Sequence, residues 1–570
     1  MTDISIKRHP HVNVGAWANN LPEIIAQILA RRGITDEQQL DLGARHLPHF
    51  DQLHGALAAA ERLAQAIGEN QAICICGDFD ADGATSTALM VSVLQALGAT
   101  RVDYIVPNRF ADGYGLSPAV VAQAHQLGAQ LIVTVDSGIS CHAGVDAARA
   151  ADIDVIITDH HLPGARLPNA NIIVNPNQPD CQFPSPNIAG VGVAFYVLLA
   201  LRHVFRERGR EVPNLAQWLD LVAVGTVADV VKLDGVNRIL VQQGLQRIRA
   251  GHCRPGIAAL LQIANRDPKQ LLASDLGFAI GPRINAAGRL DDMAAGIECL
   301  LANNLTTAQQ LAAQLDQLNQ ARRSIETEMR EEAEAYVAQI NQDTDQLPAG
   351  LVLYQPGWHQ GVVGIVAGRV KEQCHRPVIA FADSDDGLLK GSARSIPGLH
   401  IRDVLERVHS LHPDLIQRFG GHAMAAGLSL ARENLTAFRE AFIAQVTEWV
   451  DDSALTRTIW SDGELDASCF HEPFIRQLES FGPWGQGFAE PVFDGEFRVV
   501  QQRLVGERHI KWVLETADRV VLDAIAFNVD TNLWPDASVQ RIHAVYKLQL
   551  NHFRGRTSVQ LQLEHFRGLR

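Results

Sequence analysis

Gly77-Asp78-Phe79-Asp80-Ala81-Asp82-Gly83 follows directly on Gln71–Cys76, a short β-rich run, and leads into the amphipathic stretch Thr85–Leu97. Three carboxylates within five residues at a strand end repel one another unless protons or a cation neutralise them. Taken alone, the stretch has two readings: a metal site, or a solvated acidic turn whose Asp caps the next helix. Gly83 is expected to let the backbone turn into that helix. Ligands in open α/β sheets gather at the carboxyl ends of strands, so the neighbouring strands decide between the two.

Further strand candidates are Val102–Val106, Leu131–Val135, Asp154–Thr158 and Asn171–Val174, with Pro118–Leu127 a helical stretch between the first two. Near-continuous apolar strands separated by helices predict a parallel sheet covered on both faces. Leu131–Val135 ends at Asp136-Ser137-Gly138, and Asp154–Thr158 ends at Asp159-His160-His161. Parallel strands deliver their C-terminal residues to one edge, so Asp78, Asp80, Asp82, Asp136, His160 and His161 can converge. Carboxylates with imidazole at three such positions suit two divalent cations, and the imidazole favours Mn2+ over Mg2+.

The rest of the 570-residue chain frames this site. At about 100–200 residues per domain, the length predicts about three or four domains. The composition, 47% hydrophobic and 20% charged, is that of a globular protein. No apolar run reaches the ~20 residues that span a bilayer, and Met1–Pro10 carries no secretory signal, so membrane and export roles are not expected. The eight cysteines form no Cys-x-x-Cys pair, which predicts a reduced, cytoplasmic protein. A net charge of −15 disfavours binding nucleic acid by bulk charge; a local basic groove or bridging metal ions are the remaining routes.

Gly190–Val204 and Leu215–Val231 read as buried helices of the α/β domain. From Leu305 to Gln342, apolar residues recur at steps of three and four, which predicts one long amphipathic helix acting as a rigid connector or, less favoured, as a coiled-coil arm. A smaller α/β unit follows, with strands Leu351–Tyr354 and Val378–Ala382 and a Gly-rich helix Gly361–Val370. After Trp460, short strands at regular spacing predict a small barrel or sandwich. The expected domains are 1–300, 301–347, 348–455 and 456–570. From Arg541 to Arg570, six Lys or Arg stand against the single acid Glu564, interleaved with Tyr546, Phe553 and Phe566. That is either a solvated face or a surface that stacks bases and tracks a single-stranded backbone.

Asp-His-His at a strand end, preceded by Gly-Asp-Phe-Asp-Ala-Asp-Gly, resembles the DHH phosphoesterase superfamily, and the later elements resemble its RecJ branch of single-strand-specific exonucleases. Ala223-Val224-Gly225-Thr226-Val227-Ala228-Asp229-Val230-Val231 is similar to the fourth superfamily motif. Gly281-Pro282-Arg283-Ile284-Asn285-Ala286-Ala287-Gly288-Arg289-Leu290, Lys390-Gly391-Ser392-Ala393-Arg394-Ser395 and Phe419-Gly420-Gly421-His422 resemble segments in and leading to the associated DHHA1 domain. The resemblance implies a parallel-sheet DHH domain, a long connecting helix, a smaller α/β DHHA1 domain and a C-terminal OB-like β-barrel.

By position, the resemblance implies that Asp80, Asp82, Asp136, His160 and Asp229 hold two ions, Mn2+ or Mg2+, with Asp136 the bridge. Asp78 is a ligand or a group behind one. His161 faces the scissile phosphate or orients His160. Cys76 stands where many relatives carry His and reads as a buried strand residue. Arg283, Ser392 and Arg394 are expected to hold a terminal phosphate, with His422 and Ser395 adding donors and Arg109 a further substrate contact; surface salt bridges and tight turns are the alternative. Asp112-Gly113-Tyr114-Gly115 is expected to shape the entrance, and Trp358 either stacks a base or packs in the core. The implied activity is 5′-to-3′ hydrolysis of single-stranded DNA in recombination and repair, with a single-stranded-DNA-binding protein as partner. The alternatives are a phosphoesterase acting on short oligonucleotides or cyclic dinucleotides, and a DNA-binding module with a vestigial site.

Overall fold

The computed structural model describes residues 4–108, 114–344, 347–384, 386–451, 453–553 and 555–569. The chain divides into two units. One comprises Arg8–Asp316 and Trp460–Arg570; the other comprises Gln317–Ile459 with the N-terminal residues through Lys7.

In the larger unit, β1 (Ile73–Cys76), β2 (Val102–Ile105), β3 (Leu131–Val135), β4 (Asp154–Thr158) and β5 (Ile172–Val174) form one sheet in the order β2-β1-β3-β4-β5. Every pairing is parallel. β1 and β3 are buried along their whole length, the consequence of helices covering both faces. The helices that position the site are α1 (Ala81–Ala96), α2 (Gly190–Glu207), α3 (Leu219–Ala228) and α4 (Gly281–Leu290), the last entered through a π-helical turn at Leu276–Ile280.

α1 begins four residues before its expected start. Asp80 is its N-cap and accepts the backbone N–H of Asp82 (2.9 Å) and Gly83 (3.1 Å), which closes the first turn early. Gly83 therefore lies inside the helix. A Cβ there would come within 2.5 Å of the Asp78 carbonyl oxygen, so close packing rather than a turn requires glycine. Nor is α1 amphipathic. Nearly all of it is buried, and Thr85 and Thr87 return their hydroxyls to the carbonyls of Ala81 and Gly83. The helix expected over Leu215–Val231 is a short 3-10 turn followed by α3, which ends at Ala228; Val230 then takes a left-handed backbone, φ +62°.

α5 (Leu305–Thr344) is a single helix of 40 residues. Its apolar stripe is buried within the chain, through Ala308, Ala312 and Leu315 and then Met329, Ala333 and Val337. The smaller unit carries β6 (Leu351–Tyr354), α6 (Val363–Cys374), β7 (Val378–Asp383), β8 (Leu388–Arg394), β9 (Arg418–Gly421) and β10 (Ala425–Ala431). Its sheet runs β9-β10-β8-β7-β6, parallel only between β6 and β7. Trp358 is 7% exposed and donates Nε1–H to Glu332 at 2.7 Å, so it packs in the core of this unit rather than presenting a stacking face.

The C-terminal part of the larger unit is a closed five-stranded barrel of β11 (Phe493–Val505), β12 (His509–Glu515), β13 (Val521–Ala526), β14 (Arg541–Phe553) and β15 (Arg556–Leu569). The aromatic part of the expected face packs inward, while Arg556 and Arg567 are exposed. Tyr546 is buried beside Phe493 and Phe497, and Phe566 packs edge-on against Trp512 and Trp534. Arg541 pairs with Glu496, and Lys547 with Glu490. The Phe553 side chain lies outside the described residues. The eight cysteines form no disulfide. Among the described residues, no helix is long and apolar enough to cross a membrane.

Candidate metal centre

The strand order reverses between β1 and β3, and a crevice opens at such a switch point, at the carboxyl ends of the strands. Three chain segments feed it. Asp78 and Asp80 lie in the loop after β1, Asp136 follows β3, and His160 and His161 follow β4. Asp136 takes a left-handed backbone, φ +58°, which turns the chain immediately behind its carboxylate. Asp229 arrives as the C-cap of α3.

Three sets of side chains bring one ligand atom each within 4.8 Å of one another: Asp78, Asp80 and Asp136; Asp136, His160 and His161; and Asp82, His160 and Asp229. Asp136 belongs to two sets and His160 to two. His160 Nε2 lies 3.1 Å from Asp136 Oδ1 and 3.5 Å from Asp229 Oδ2. The closer pair lacks hydrogen-bond geometry, and both of its atoms are buried without a hydrogen-bond partner. Such atoms are costly to leave unsatisfied. A hard divalent cation between them would satisfy both, so the residues fit the metal their chemistry implies.

Electrostatics point the same way. Burial, reinforced by the charges of neighbouring carboxylates, pushes Asp82 and Asp136 well above the usual carboxylate range. Burial and Asp80 raise Asp229 to about 7. A cation would relieve both causes. Burial, with the charge of His161, pushes His160 down to about 4, leaving the imidazole neutral and able to act as a ligand. His161 goes the other way. Burial alone would lower it, but the hydrogen bond and charge of Asp159 outweigh that and hold it at about 9, protonated at neutral pH.

Asp159, to which the sequence reading gave no role, organises this corner. Its Oδ1 accepts the backbone N–H of His160 (2.7 Å) and of His161 (3.0 Å) and the His161 Nδ1–H (2.7 Å), and its Oδ2 accepts Ile139 N–H at 2.9 Å. Asp82 is held from the far side. Gly190 and Val191, the first residues of α2, donate their N–H groups to its two oxygens at 2.7 and 2.9 Å. Helix N-terminal amides stabilise a carboxylate in that position. A Cβ on Gly190 would fall 2.5 Å from Asp136 Oδ1, so glycine is what lets α2 come this close. Asn285 on α4 accepts Ala81 N–H at 2.8 Å and fixes the start of α1. The Tyr114 hydroxyl donates to the Asp136 carbonyl at 3.3 Å and stands 3.5 Å from the His161 ring nitrogens. The sequence signals were an Asp at a strand end, the Gly190-Val191-Gly192 helix start, the Asn in the α4 motif and the Tyr114-Gly115 pair.

The residues expected on the substrate side divide between the units. Arg283 lies on α4 in the larger unit, donating Nε–H to Asp316 at 2.8 Å and Nη1–H to the Ala279 carbonyl at 2.6 Å. In the smaller unit, Arg394 donates to Ser392 Oγ at 2.9 Å, and both face α6 closely: a Cβ on Gly364 would lie 2.7 Å from Arg394 Nη2 and 2.8 Å from Ser392 Oγ. Burial lowers the Arg394 guanidinium. Ala425 pairs with Arg394 across β10 and β8 and accepts the His422 N–H at 2.8 Å, so His422 stands near the same corner. Ser395 turns inward to the Leu399 carbonyl. Arg109 and Asp112-Gly113 lie outside the described residues.

Known proteins match this architecture piece by piece. Family models match residues 72–226 (DHH family, N-terminal domain), 348–448 (DHHA1 domain) and 461–565 (RecJ OB domain). The single-stranded-DNA-specific exonuclease RecJ of Dickeya dadantii is 57% identical over 550 residues, 95% of this chain and 96% of that protein. The protein of the same name from Escherichia coli is 56% identical over 548 residues, 95% of each chain. The crystal structure of RecJ in complex with Mn2+ from Thermus thermophilus superposes with a TM-score of 0.81 at 29% identity, covering 100% of this chain and 80% of that one. Its Mg2+ complex gives 0.76 at 28%, with 100% and 79% covered. By sequence identity over nearly its full length, the chain belongs to the RecJ family of DHH-domain proteins.

Proposed function

We propose that this chain is a single-stranded-DNA-specific exonuclease that hydrolyses phosphodiester bonds in the 5′-to-3′ direction with two divalent cations, Mn2+ or Mg2+. One observation carries the reading: carboxylates and imidazole from four separate segments meet around two buried, unsatisfied ligand atoms, Asp136 Oδ1 and His160 Nε2. Asp80, Asp82, Asp136, His160 and Asp229, with Asp78, would hold the ions, and Asp136, common to two of the three ligand sets, would serve both. When bound, the pair supplies Lewis acidity, activating water and offsetting charge on the reacting phosphate.

The protein's own groups do the rest. His161, kept cationic by Asp159, donates to a non-bridging phosphate oxygen and offsets charge that grows in the transition state. Tyr114 steadies the His161 ring and the Asp136 backbone. Ser392, Arg394 and His422, near the N-terminus of α6, hold the phosphate at the strand's 5′ end, which sets the polarity. Arg109 and Arg283 contact the strand on the catalytic unit. Barrel surfaces other than Tyr546 and Phe566 hold the strand further along. The setting is DNA recombination and repair in the cytoplasm, beside a single-stranded-DNA-binding protein.

The test compares a long 5′-phosphorylated strand, the same strand blocked at its 5′ end, and a dinucleotide, each with Mn2+ and with EDTA. The expected result is metal-dependent loss of 5′ nucleotides from the unblocked long strand. Preference for the dinucleotide would instead indicate a small-substrate phosphoesterase, and activity that survives EDTA would remove the metal chemistry.

A further inference from the structure

The three most exposed large apolar side chains among the described residues are Phe278, Leu162 and Val230, at 77%, 64% and 63%. They come from three distant segments, and each segment either carries a residue of the metal centre or packs against one that does. Leu162 follows His161 and Val230 follows Asp229. Phe278 sits in the π-helical turn Leu276–Ile280, which packs on the end of α3. A Cβ on Gly277 would lie 3.3 Å from Val227 Cγ1, and one on Gly281 would lie 3.1 Å from the Cβ of Ala228, the residue before Asp229.

Two of these side chains are presented by unfavourable backbone. Val230 has φ +62°, a conformation that β-branched residues rarely adopt. Such strain persists where the surroundings impose it and gathers at binding sites. The π-helical turn beneath Phe278 is likewise a rare geometry that concentrates at functional positions. Exposed apolar groups on segments next to an acidic site have nothing to offer a phosphate. They match the faces of a nucleobase and the carbons of its sugar. A paired base is held in its stack by its partner strand, whereas an unpaired terminal nucleotide is free to swing out and turn a face to such groups.

We propose that Leu162, Val230 and Phe278 form an apolar rim that receives the base and sugar of the nucleotide at the scissile phosphate. This makes the rim a specificity-determining element for unpaired ends; the inference rests on the exonuclease reading above. The contact is blind to sequence, since every base has such a face.

The experiment uses the full chain with Mn2+ and measures kcat/KM on 5′-phosphorylated oligo-dT and on the same strand carrying tetrahydrofuran abasic residues at its 5′ end. The wild type is expected to cleave the abasic strand about tenfold less efficiently, the scale of base stacking on a side chain. The doubly substituted Phe278→Ala/Val230→Gly chain tolerates both backbones, because glycine accepts the φ at 230 and residue 278 is at the surface; in it the two strands should differ by no more than about twofold. Phe278→Leu, which keeps an apolar group, should retain most of the difference. A full tenfold penalty in the double variant, or none in the wild type, overturns the rim while leaving the exonuclease reading intact. A wild-type protein that cleaves neither strand overturns both.

Discussion

Asp159 and His161 are joined by a 2.7 Å hydrogen bond from the imidazole Nδ1 to a carboxylate oxygen that also accepts the backbone N–H groups of His160 and His161. One buried carboxylate thus fixes the backbone of the Asp-His-His turn and the charge of its last imidazole. Asp159→Asn keeps the size and removes the charge. It should lower kcat by about 10–100-fold, as loss of groups that orient metal ligands does, with little change in KM. Steady-state kinetics at saturating Mn2+ checks this; an unchanged kcat would mean that His161 needs no such partner.

Gly190→Ala places a methyl 2.5 Å from Asp136 Oδ1 and 2.7 Å from its Cβ. α2 must retreat, and its N-terminal amides then leave Asp82. Overpacking of this kind costs about 1–3 kcal/mol, to be read from urea midpoints, and Mn2+-dependent cleavage should fall with it. Full activity together with full stability would show that α2 is not held against the centre.

Arg394→Ala removes the guanidinium that Ser392 and Gly364 surround. The prediction is loss of the preference for a 5′-phosphorylated over a 5′-hydroxyl strand, by about tenfold, the worth of one charge-assisted contact. The ratio of kcat/KM on the two strands reads it directly, and an unaltered ratio rejects the clamp.

Asp494, in the barrel, supplies a test by pH. Burial would raise its carboxyl, but the hydrogen bonds from Arg8 (2.9 Å), Ser461 (2.6 Å) and His543 (3.0 Å) outweigh that and hold it below the usual range. A depressed folded-state value contributes stability that is present above the unfolded value, near 4, and is lost as pH falls through the folded one. Asp494→Asn should therefore cost about 2–3 kcal/mol at pH 7, discounted from a fully buried pair because Arg8 is half exposed, and the gap should narrow below about pH 4. Denaturation at pH 7 and at acid pH measures both; a gap that does not depend on pH would contradict the assignment.

The catalytic sheet was legible because its signals are local: apolar strands that each end on a chemical residue, with parallel topology bringing the ends together. Asp78, Asp80, Asp82, Asp136, His160 and His161 follow from that pattern, Asp229 follows from the family resemblance, and the seven do meet. What escaped depends on contacts between distant segments. Asp159 looked like part of a motif rather than its organiser, because its partners include Ile139, twenty residues earlier. α1 was expected too late, since nothing in the sequence says whether Asp80 caps a helix or binds an ion, and its geometry allows both. Tyr546 looked outward-facing because it stands among Lys and Arg, but strand alternation puts it in phase with Ile542, Ala544 and Leu548, all buried in the barrel, and out of phase with Lys547. Phe566 meets Trp512 and Trp534 only because the barrel closes.

Electron paramagnetic resonance with titrated Mn2+ tests the central claim most directly, because two ions that share a bridging carboxylate couple their spins. The account predicts two Mn2+ per chain with an exchange-coupled spectrum, and loss of that coupling in Asp136→Asn. A single isolated-ion spectrum at saturation, or a coupled pair that persists in Asp136→Asn, would contradict it.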